Sequence, residues 1–345
     1  MVTIYDIAKA TGYSAPTISK ALNGTGGLSE KTREKILRQA EALGYKPNMA
    51  ARSLTTKKSY MIGMIFEDMD MQRGFEHPLF GGIMNKFRTE MENSGYDLIF
   101  LSRSLLAKRR SYLEHCYHRN VDAVIIINPL KFDDEIIELA GSDIPCVSTN
   151  FLIPGVPSVL TANFEAGYEA GKFLIKNGHR KIGYISGSFT NFNLAAKERL
   201  DGFKQALVEN GIEYDDSKTE YCNFWTRKVG YEGMRNLHKR HPDLTALFVA
   251  NDNMAFGAME YLSSIGLRMP EDISVIGFDD EQASEFFSPP LTTFRQNRSL
   301  IGELSAEILM NRLVGIPVND CVRVPADFII RNSVIDISKT NSSKN

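Results

Sequence analysis

The 345-residue sequence predicts two unlike parts: an N-terminal all-α head over residues 1–46, and an α/β body over residues 60–337 built from two open parallel sheets. Three observations carry this. The head holds three stretches with apolar residues at helical spacing, separated by glycines. From Tyr60 onward, short apolar runs such as Ala123-Val-Ile-Ile-Ile127 alternate with longer amphipathic ones, the pattern of parallel strands covered on both faces. Charge divides the same way: residues 1–58 carry ten Lys and Arg against four acids, a net of +6, which leaves −8 for the rest of a chain whose net is −2. A basic head on an acidic body is the footprint of a part that meets phosphates and a part that does not.

Composition is that of an ordinary soluble protein, 43% hydrophobic and 24% charged. No run approaches the roughly 18 apolar residues of a membrane span, and the start lacks the features of a signal peptide, so a cytoplasmic location is expected with no membrane partner. Cys116, Cys146, Cys222 and Cys321 are widely spaced, which points to reduced thiols rather than disulfides or zinc.

In the head, Thr3 can accept from the unpaired N–H groups of a helix start, Asp6 supplies a capping-box partner, and Ile4, Ile7 and Ala8 share one face. Gly12 ends this helix. Ser14 caps a second, whose Ile18, Ala21 and Leu22 recur at i, i+3 and i+4, with Pro16 in the first turn where its missing N–H costs little. Two helices joined by a short glycine-containing turn form a helix-turn-helix. Outward on the second helix remain Ala15, Pro16, Thr17, Ser19 and Lys20, which suit a helix lying in a DNA major groove with its N-terminal residues at base edges. A hairpin packed only for its own stability has the same turn, and the charge division favours the DNA reading. Gly24-Thr-Gly-Gly27 reads as a loop, because no strand precedes it and no Lys-Ser/Thr follows, as a phosphate cradle would need. Ser29 caps a third helix with Ile36, Leu37, Ala40 and Leu43 inward and Gly44 at its end. Beyond it, Pro47 breaks the chain, Asn48 can cap a short helix over residues 49–54, and a polar linker runs to Ser59. A helix this short is marginal alone in water and needs a surface to fold against.

Thr3-Ile-Tyr-Asp-Ile-Ala8, residues 14–23 with their Thr-Ile-Ser-Lys core, Thr32-Arg-Glu-Lys35, Leu43-Gly-Tyr-Lys-Pro-Asn48 and Ala50-Ala-Arg-Ser-Leu54 together resemble the DNA-binding head and hinge helix of the lactose-repressor (LacI/GalR) family. The resemblance implies a two-lobed, periplasmic-binding-protein-like sensor after the head, and a homodimer or a pair of dimers on a near-palindromic operator. It puts Ala15, Pro16 and Lys20 at base-reading positions, with Ser14, Thr17, Ser19, Asn23 and Thr32 on phosphates or supporting the groove contact. Thr3, Tyr5, Tyr45, Asn48 and Ala51 join the expected DNA-binding set, and Leu54 is the expected minor-groove wedge, trading unstacking for a bend that brings more protein to the DNA. Ala15 and Pro16 have no side-chain donors, so readout there rests on thymine methyls and leaves Lys20 as the polar reader.

In the body, strands are expected over residues 61–66, 97–101, 123–127 and 145–148, with helices over 80–94, 108–120 and 133–140. After Pro154-Gly-Val-Pro157 the alternation restarts, with helices over 165–177, 195–210, 228–239 and 254–265, and strands over 181–185, 246–249 and 273–276. The resemblance implies crossings between lobes near residues 150–157, 288–296 and 322–327, with helix 298–313 packing back on the first lobe. The first lobe then spans about residues 60–150 plus 297–322, the second about 151–290 plus 323–337, with residues 47–59 as hinge and linker and 338–345 as a disordered tail.

A catalytic reading fails: there is no Gly-x-Ser-x-Gly, no Walker loop and no metal-ligand spacing, and neither cofactor nor metal is expected. His115, Cys116 and His118, and His238 with His241, read as solvated or packed residues. Residues 248–258, Gly277-Phe-Asp-Asp280 and residues 289–296 resemble the effector lobe of the same family. Asn251 and Asp279, at strand ends, would offer a carboxamide and a carboxylate to vicinal hydroxyls. Arg199 matches the family's effector-binding arginine, a planar donor fork. By the resemblance, Trp225 falls where a family member can stack an aromatic ring on a sugar face, Phe80 aligns with an aromatic lining the first lobe's side of the cleft, and Gln296 lies on a crossing strand. The bland alternatives are a surface ion pair for Arg199, a helix cap for Asp279, and core packing for Phe80 and Trp225. The segment over residues 67–77 is longer and more acidic than the family's. The expected function is a transcriptional repressor controlled by a small-molecule effector, a sugar or sugar derivative first. The alternatives are a purine or phosphoprotein effector, or a sugar-binding transport or sugar-modifying protein.

Overall fold

The computed structural model describes residues 2–46, 58–67, 73–105, 108–129, 134–188 and 194–338. The expected hinge helix with Asn48, Ala51 and Leu54, the middle of the acidic segment and the tail from residue 339 lie outside the described residues. The chain divides into two compact units with the boundary between Ser59 and Tyr60.

Helices α1 (Ile4–Thr11), α2 (Ala15–Asn23) and α3 (Glu30–Ala42) form the first unit. Ile7, Ile18, Ala21, Ile36 and Ala40 are its buried core, with Tyr13, Leu22, Leu43 and Tyr45 packed around them. Leu37, expected inward, is 41% exposed. Ile36, Ala40 and Leu43 already complete the inner stripe at helical spacing, and the residue after Ile36 is rotated about 100° away from it.

The second unit holds two parallel sheets. The first sheet runs β13-β7-β6-β5-β1-β2, from strands β1 (Met61–Phe66), β2 (Asp97–Phe100), β5 (Ala123–Asn128), β6 (Cys146–Thr149), β7 (Ser158–Thr161) and β13 (Cys321–Val324). Helices α4 (Pro78–Asn93) and α12 (Arg298–Leu313) cover one face, burying Phe80, Ile83, Phe87, Ile301 and Leu309 against Ile62, Ile125 and Val147. The second sheet runs β11-β10-β8-β9, from β8 (Ile182–Ser186), β9 (Thr219–Tyr221), β10 (Ala246–Val249) and β11 (Ser274–Ile276). It lies between helix pairs α7 (Asn163–Lys176) with α8 (Ala195–Glu209), and α9 (Arg227–Arg240) with α10 (Asp252–Ser264). Strand β12 (Thr293–Gln296) pairs antiparallel with β14 (Ala326–Ile329), stacking Phe294 on Phe328 with centroids 4.4 Å apart.

Two expectations are corrected. Residues 108–120 are not one helix: Ser104–Leu105 and Lys108–Arg109 form an antiparallel hairpin, β3 and β4. Helix α5 begins only at Tyr112, where Ser111 and Glu114 close a capping box and so define the start. The first crossing is not at residues 150–157. There Phe151, Ile153 and Val156 are buried in a first-lobe cluster, and β7 pairs parallel with β6 and β13, so the chain crosses at Ala162. The return crossing follows Val324, within the expected 322–327. Strand β9 went unanticipated, being three residues long with one buried.

Candidate functional site

In the head, α1 ends at Gly12, whose φ of +76° lies in the left-handed region, and the turn delivers Ser14 to cap α2. Thr3 and Asp6 exchange both capping-box hydrogen bonds, and the Thr3 backbone N–H holds the Asp6 carboxyl below its usual range. Tyr5, beside them, is 71% exposed. Because Ile18 and Ala21 take the buried face of α2, Pro16 and Lys20 are exposed, with Ala15, Thr17, Ser19 and Asn23 half-buried. The polar groups on this face are pre-oriented by one another. Ser14 Oγ and Thr17 Oγ1 lie 2.8 Å apart, Asn23 Nδ2 donates to Ser19 Oγ at 3.3 Å, and Thr32 Oγ1 is 2.8 Å from Ser29 Oγ at the start of α3. Tyr45 packs half-buried on the head core.

Sequence reasoning missed how two cations brace the glycine turn after α2. A Cβ on Gly26 would lie 3.1 Å from Lys20 Cδ, and one on Gly24 would lie 2.9 Å from an Arg33 guanidinium nitrogen. The glycines give both side chains room to lie along the turn; glycines flanked by spaced basic residues were the legible signal. Lys35 sits 5.4 Å over the Tyr13 ring.

The second unit has a pocket between its lobes, lined by Thr149, Asn150 and Thr161 from the first lobe, Asn163, Ala195 and Glu198 from the second, and Gln296 at a crossing. Arg199, buried on α8, donates from Nε to Asn163 Oδ1 at 2.9 Å and from Nη1 to the Ala250 carbonyl. Its guanidinium carbon lies 3.5 Å from the centre of the Phe278 ring and 5.9 Å from that of Trp225. Burial pulls the Arg199 pKa down, and the Asp279 charge opposes this. Asp279 follows β11 with φ +117°, a left-handed conformation unusual for a residue with a side chain. Its carboxylate accepts from Gln296 Nε2 at 2.6 Å. Burial raises the Asp279 pKa to about 7, with Arg199 lowering it and Asp252 adding to the rise. Gln296 also receives the Thr161 hydroxyl at Oε1, so its amide joins both lobes' crossing strands to Asp279.

Trp225 donates from Nε1 to Ser188 Oγ at 3.0 Å, and its ring lies over Gly187, where a Cβ would come within 2.6 Å of ring atoms. Asn251 is placed differently from expectation. Its Oδ1 accepts from Met254 N at 2.9 Å and its Nδ2 donates to the Trp225 carbonyl at 3.2 Å, so it is the N-cap of α10 and a brace for the tryptophan. The cap role considered for Asp279 belongs to Asn251. Next to it, fully buried Asp252 accepts from Glu281 N, Ser284 Oγ and Thr293 Oγ1, and burial raises its pKa to about 6. Phe80 is brought into the first-lobe core, 4.4 Å from the His77 ring and 5.7 Å from Phe66; of the six expected effector residues only Gln296 lines the pocket between the lobes, and Arg199, Trp225, Asn251 and Asp279 lie outside that lining. Asn163, Ser188 and Asp252 were missed because their roles arise from partners 29 or more positions away in the chain.

The histidine and cysteine groups do not converge. His115 bonds the Ser102 backbone, Cys116 is buried with its thiol pushed up to about 12, His118 is exposed, and His241 bonds Ser217. Among the described residues no helix is long and apolar enough to cross a membrane.

Residues 3–48 match the model of bacterial regulatory proteins of the lacI family, and residues 172–334 match a periplasmic binding protein-like domain. The HTH-type transcriptional repressor PurR of Mannheimia succiniciproducens is 33% identical over 98% of this chain and its own full length. The chain belongs to the lacI family of bacterial regulatory proteins. The HTH-type transcriptional regulator CelR of Thermobifida fusca, another member, is 32% identical over 91% of this chain and 92% of its own. Among solved structures, a lac repressor dimer bound to operator and the anti-inducer ONPF superimposes with a TM-score of 0.78, at 27% identity over 97% of this chain and 99% of that one. A CelR–cellobiose complex superimposes with a TM-score of 0.69, at 29% identity over 96% and 100%. This lacI-family member is a DNA-binding transcriptional regulator: a helix-turn-helix head followed by a two-lobed α/β sensor. Arg199, Trp225, Asn251, Asp279 and Gln296 all lie within its matched sensor domain.

Proposed function

We propose that this regulator is a cytoplasmic, non-enzymatic repressor that binds a near-palindromic operator as a homodimer and answers to a sugar or sugar derivative held between its lobes. The observation carrying the effector reading is the grouping around Asp279. A half-buried carboxylate, braced by Gln296, lies near a buried arginine, and the centre of an indole ring lies 5.9 Å from the arginine's guanidinium carbon. An acceptor, a planar donor and an aromatic face are what vicinal hydroxyls on a ring with an apolar side require. Arg199, Asp279, Trp225 and Gln296 are therefore the proposed effector residues. Asn251 acts through the α10 cap and Phe80 through the first-lobe core. The CelR neighbour, solved with cellobiose, supports a saccharide as the first ligand to try. On the DNA side, the proposed contacts are Thr3, Tyr5, Ser14, Ala15, Pro16, Thr17, Ser19, Lys20, Asn23, Thr32 and Tyr45, with Asn48, Ala51 and Leu54 of the hinge.

Trp225 is the chain's single tryptophan and its ring lies 5.9 Å from the Arg199 guanidinium, so its fluorescence reports on the surroundings of Arg199. Glucose, cellobiose, maltose, glucose 6-phosphate and hypoxanthine should be titrated in turn. A saturable change with a sugar, lost in Asp279→Asn, is the expected result. Saturation with hypoxanthine instead would assign a purine effector, and saturation by a sugar unaffected by Asp279→Asn would remove the proposed site.

A further inference from the structure

The segment over residues 67–77 is acidic, and its described end reaches the other lobe. Arg73 Nη1 donates to Glu281 Oε2 at 2.9 Å, joining the first lobe to the second across 208 positions of sequence. Both partners stand on fixed backbone. Arg73 opens a 3-10 turn over Gly74–Glu76, closed by Glu76 N to the Arg73 carbonyl at 3.0 Å. Phe75 anchors this turn, its ring 5.0 Å from Phe100 and 6.2 Å from Phe66, and its carbonyl 2.4 Å from where a Cβ on Gly81 of α4 would stand. Opposite, Glu281 donates its N–H to Asp252 Oδ2 at 2.9 Å and accepts at its carbonyl from Ser284 N at 2.8 Å. The Glu281 side chain is only 8% exposed, and its other oxygen is buried with no hydrogen-bond partner among the described residues.

A second ion pair also joins the lobes. Arg323 holds Glu198 with two bonds of 2.6 and 2.7 Å and donates to the Thr161 carbonyl. Arg323 and Thr161 each stand within two residues of a crossing, so this pair moves little when the lobes rotate. Arg73 and Glu281 belong to segments that do not cross, and their pair must break when the lobes part.

We propose that Arg73 and Glu281 form a clasp that holds the two lobes closed in the effector-free regulator, setting how far the cleft opens before a ligand enters. The physical basis is the asymmetry of a buried carboxylate. Closed, Glu281 depends on Arg73 for its charge partner; without Arg73 it is left buried and unpaired, and opening the cleft to water is the relief. The link from closure to effector binding rests on the reading under Proposed function.

Hydrogen exchange of the effector-free, full-length protein tests the clasp. Amides of residues 149–163 and 194–199, around the cleft, should exchange about three- to tenfold faster in Arg73→Gln and in Glu281→Gln. Amides of β5, inside the first lobe, serve as the control for folding and should not change. The exchanged pair Arg73→Glu with Glu281→Arg should return the cleft to near wild-type protection. Unchanged cleft exchange in Arg73→Gln, a variant of a residue one-third exposed and free of folding risk at Glu281, would overturn the clasp, as would an exchanged pair no better protected than either single charge reversal. Should the single variants speed exchange while no sugar or purine moves Trp225 fluorescence, the clasp stands and the effector reading falls. Should Asp279→Asn abolish sugar binding while Arg73→Gln leaves exchange untouched, only the clasp falls.

Discussion

Asp279 is held where its charge is disfavoured. Its pKa rises to about 7, and that of neighbouring Asp252 to about 6, each mainly through burial. Both lie above the unfolded carboxyl value near 3.8, so the folded protein binds more protons than the unfolded chain between the two. The sensor should therefore be most stable below pH 4 as far as these two groups are concerned, and lose that contribution as pH rises through 6 to 7. Urea midpoints at pH 5 and pH 8 check this: wild type should lose stability over the interval, and Asp279→Asn should lose less. An effector whose hydroxyls donate to the ionised carboxylate should bind more tightly at pH 8 than at pH 6, a slope that Asp279→Asn removes. Asn251 makes the contrasting case at the same scale. As an N-cap its loss in Asn251→Ala should cost about 1 kcal/mol in unfolding free energy, while Asn251→Ser, which can still accept from Met254 N, should recover most of it. A contact made only to effector would instead leave the effector-free protein's stability unchanged in both.

At the scale of elements, the second lobe is set by two helix pairs that approach through reciprocal glycines. A Cβ on Gly167 would stand 2.0 Å from the Arg199 carbonyl and one on Gly202 1.9 Å from the Phe164 carbonyl. In the other pair, a Cβ on Gly230 would stand 2.0 Å from the Met254 carbonyl oxygen and one on Gly257 1.9 Å from the Arg227 carbonyl oxygen. Backbone this close has no flexible side chain to yield, so the helices must separate if a methyl is added. Since α8 carries Arg199, Gly167→Ala should lower thermal stability by about 1–3 kcal/mol and weaken sugar binding as well. Gly230→Ala should cost similar stability with a smaller effect on binding; fluorescence titration beside thermal unfolding separates the two. Legibility follows the same line. The helices, caps and most strands could be read from periodicity and from Thr3, Ser14 and Gly12, because those signals are local. Ser158–Thr161 was assigned to the wrong lobe because a strand's partners, β6 and β13, are chosen by tertiary pairing that its own residues do not encode. The cap at Asn251 was legible, an Asn before a helix, but a strand-end position argued for the cleft and the cap was passed over. Arg199 and Asp279 were legible as types, whereas the partners that orient them, Asn163 and Gln296, lie 36 and 17 positions away.

At the scale of the whole molecule, the division of charge has a consequence that separates its two binding functions. The head side carries +6 and the remainder −8, so in the homodimer proposed above each protomer would bring a basic head to the operator. Each phosphate neutralised by a lysine or arginine releases counterions, and affinity falls steeply as salt rises. With several such contacts per head, raising salt from about 50 to 200 mM should weaken operator binding by on the order of a thousandfold. On the proposed reading, a neutral sugar held by Asp279, Arg199 and Trp225 would release no counterions, so its affinity for the DNA-free protein should stay within about twofold over the same range. Gel shifts with a palindromic operator beside Trp225 titrations would read both slopes on one preparation. Lys20→Ala should flatten the operator slope if Lys20 meets a phosphate, and leave the slope while relaxing base preference if it reads a base. Linkage then adds a constraint that no single-site account supplies. Whatever factor the sugar imposes on operator affinity, the operator must impose on sugar affinity, typically about 1–3 kcal/mol. Sugar titrations of the operator-bound dimer at low salt should therefore differ from those of the free protein by the factor the gel shifts give. Equal sugar affinities in the two states, despite a sugar-dependent gel shift, would mean that the sugar acts somewhere other than on the equilibrium between the lobes.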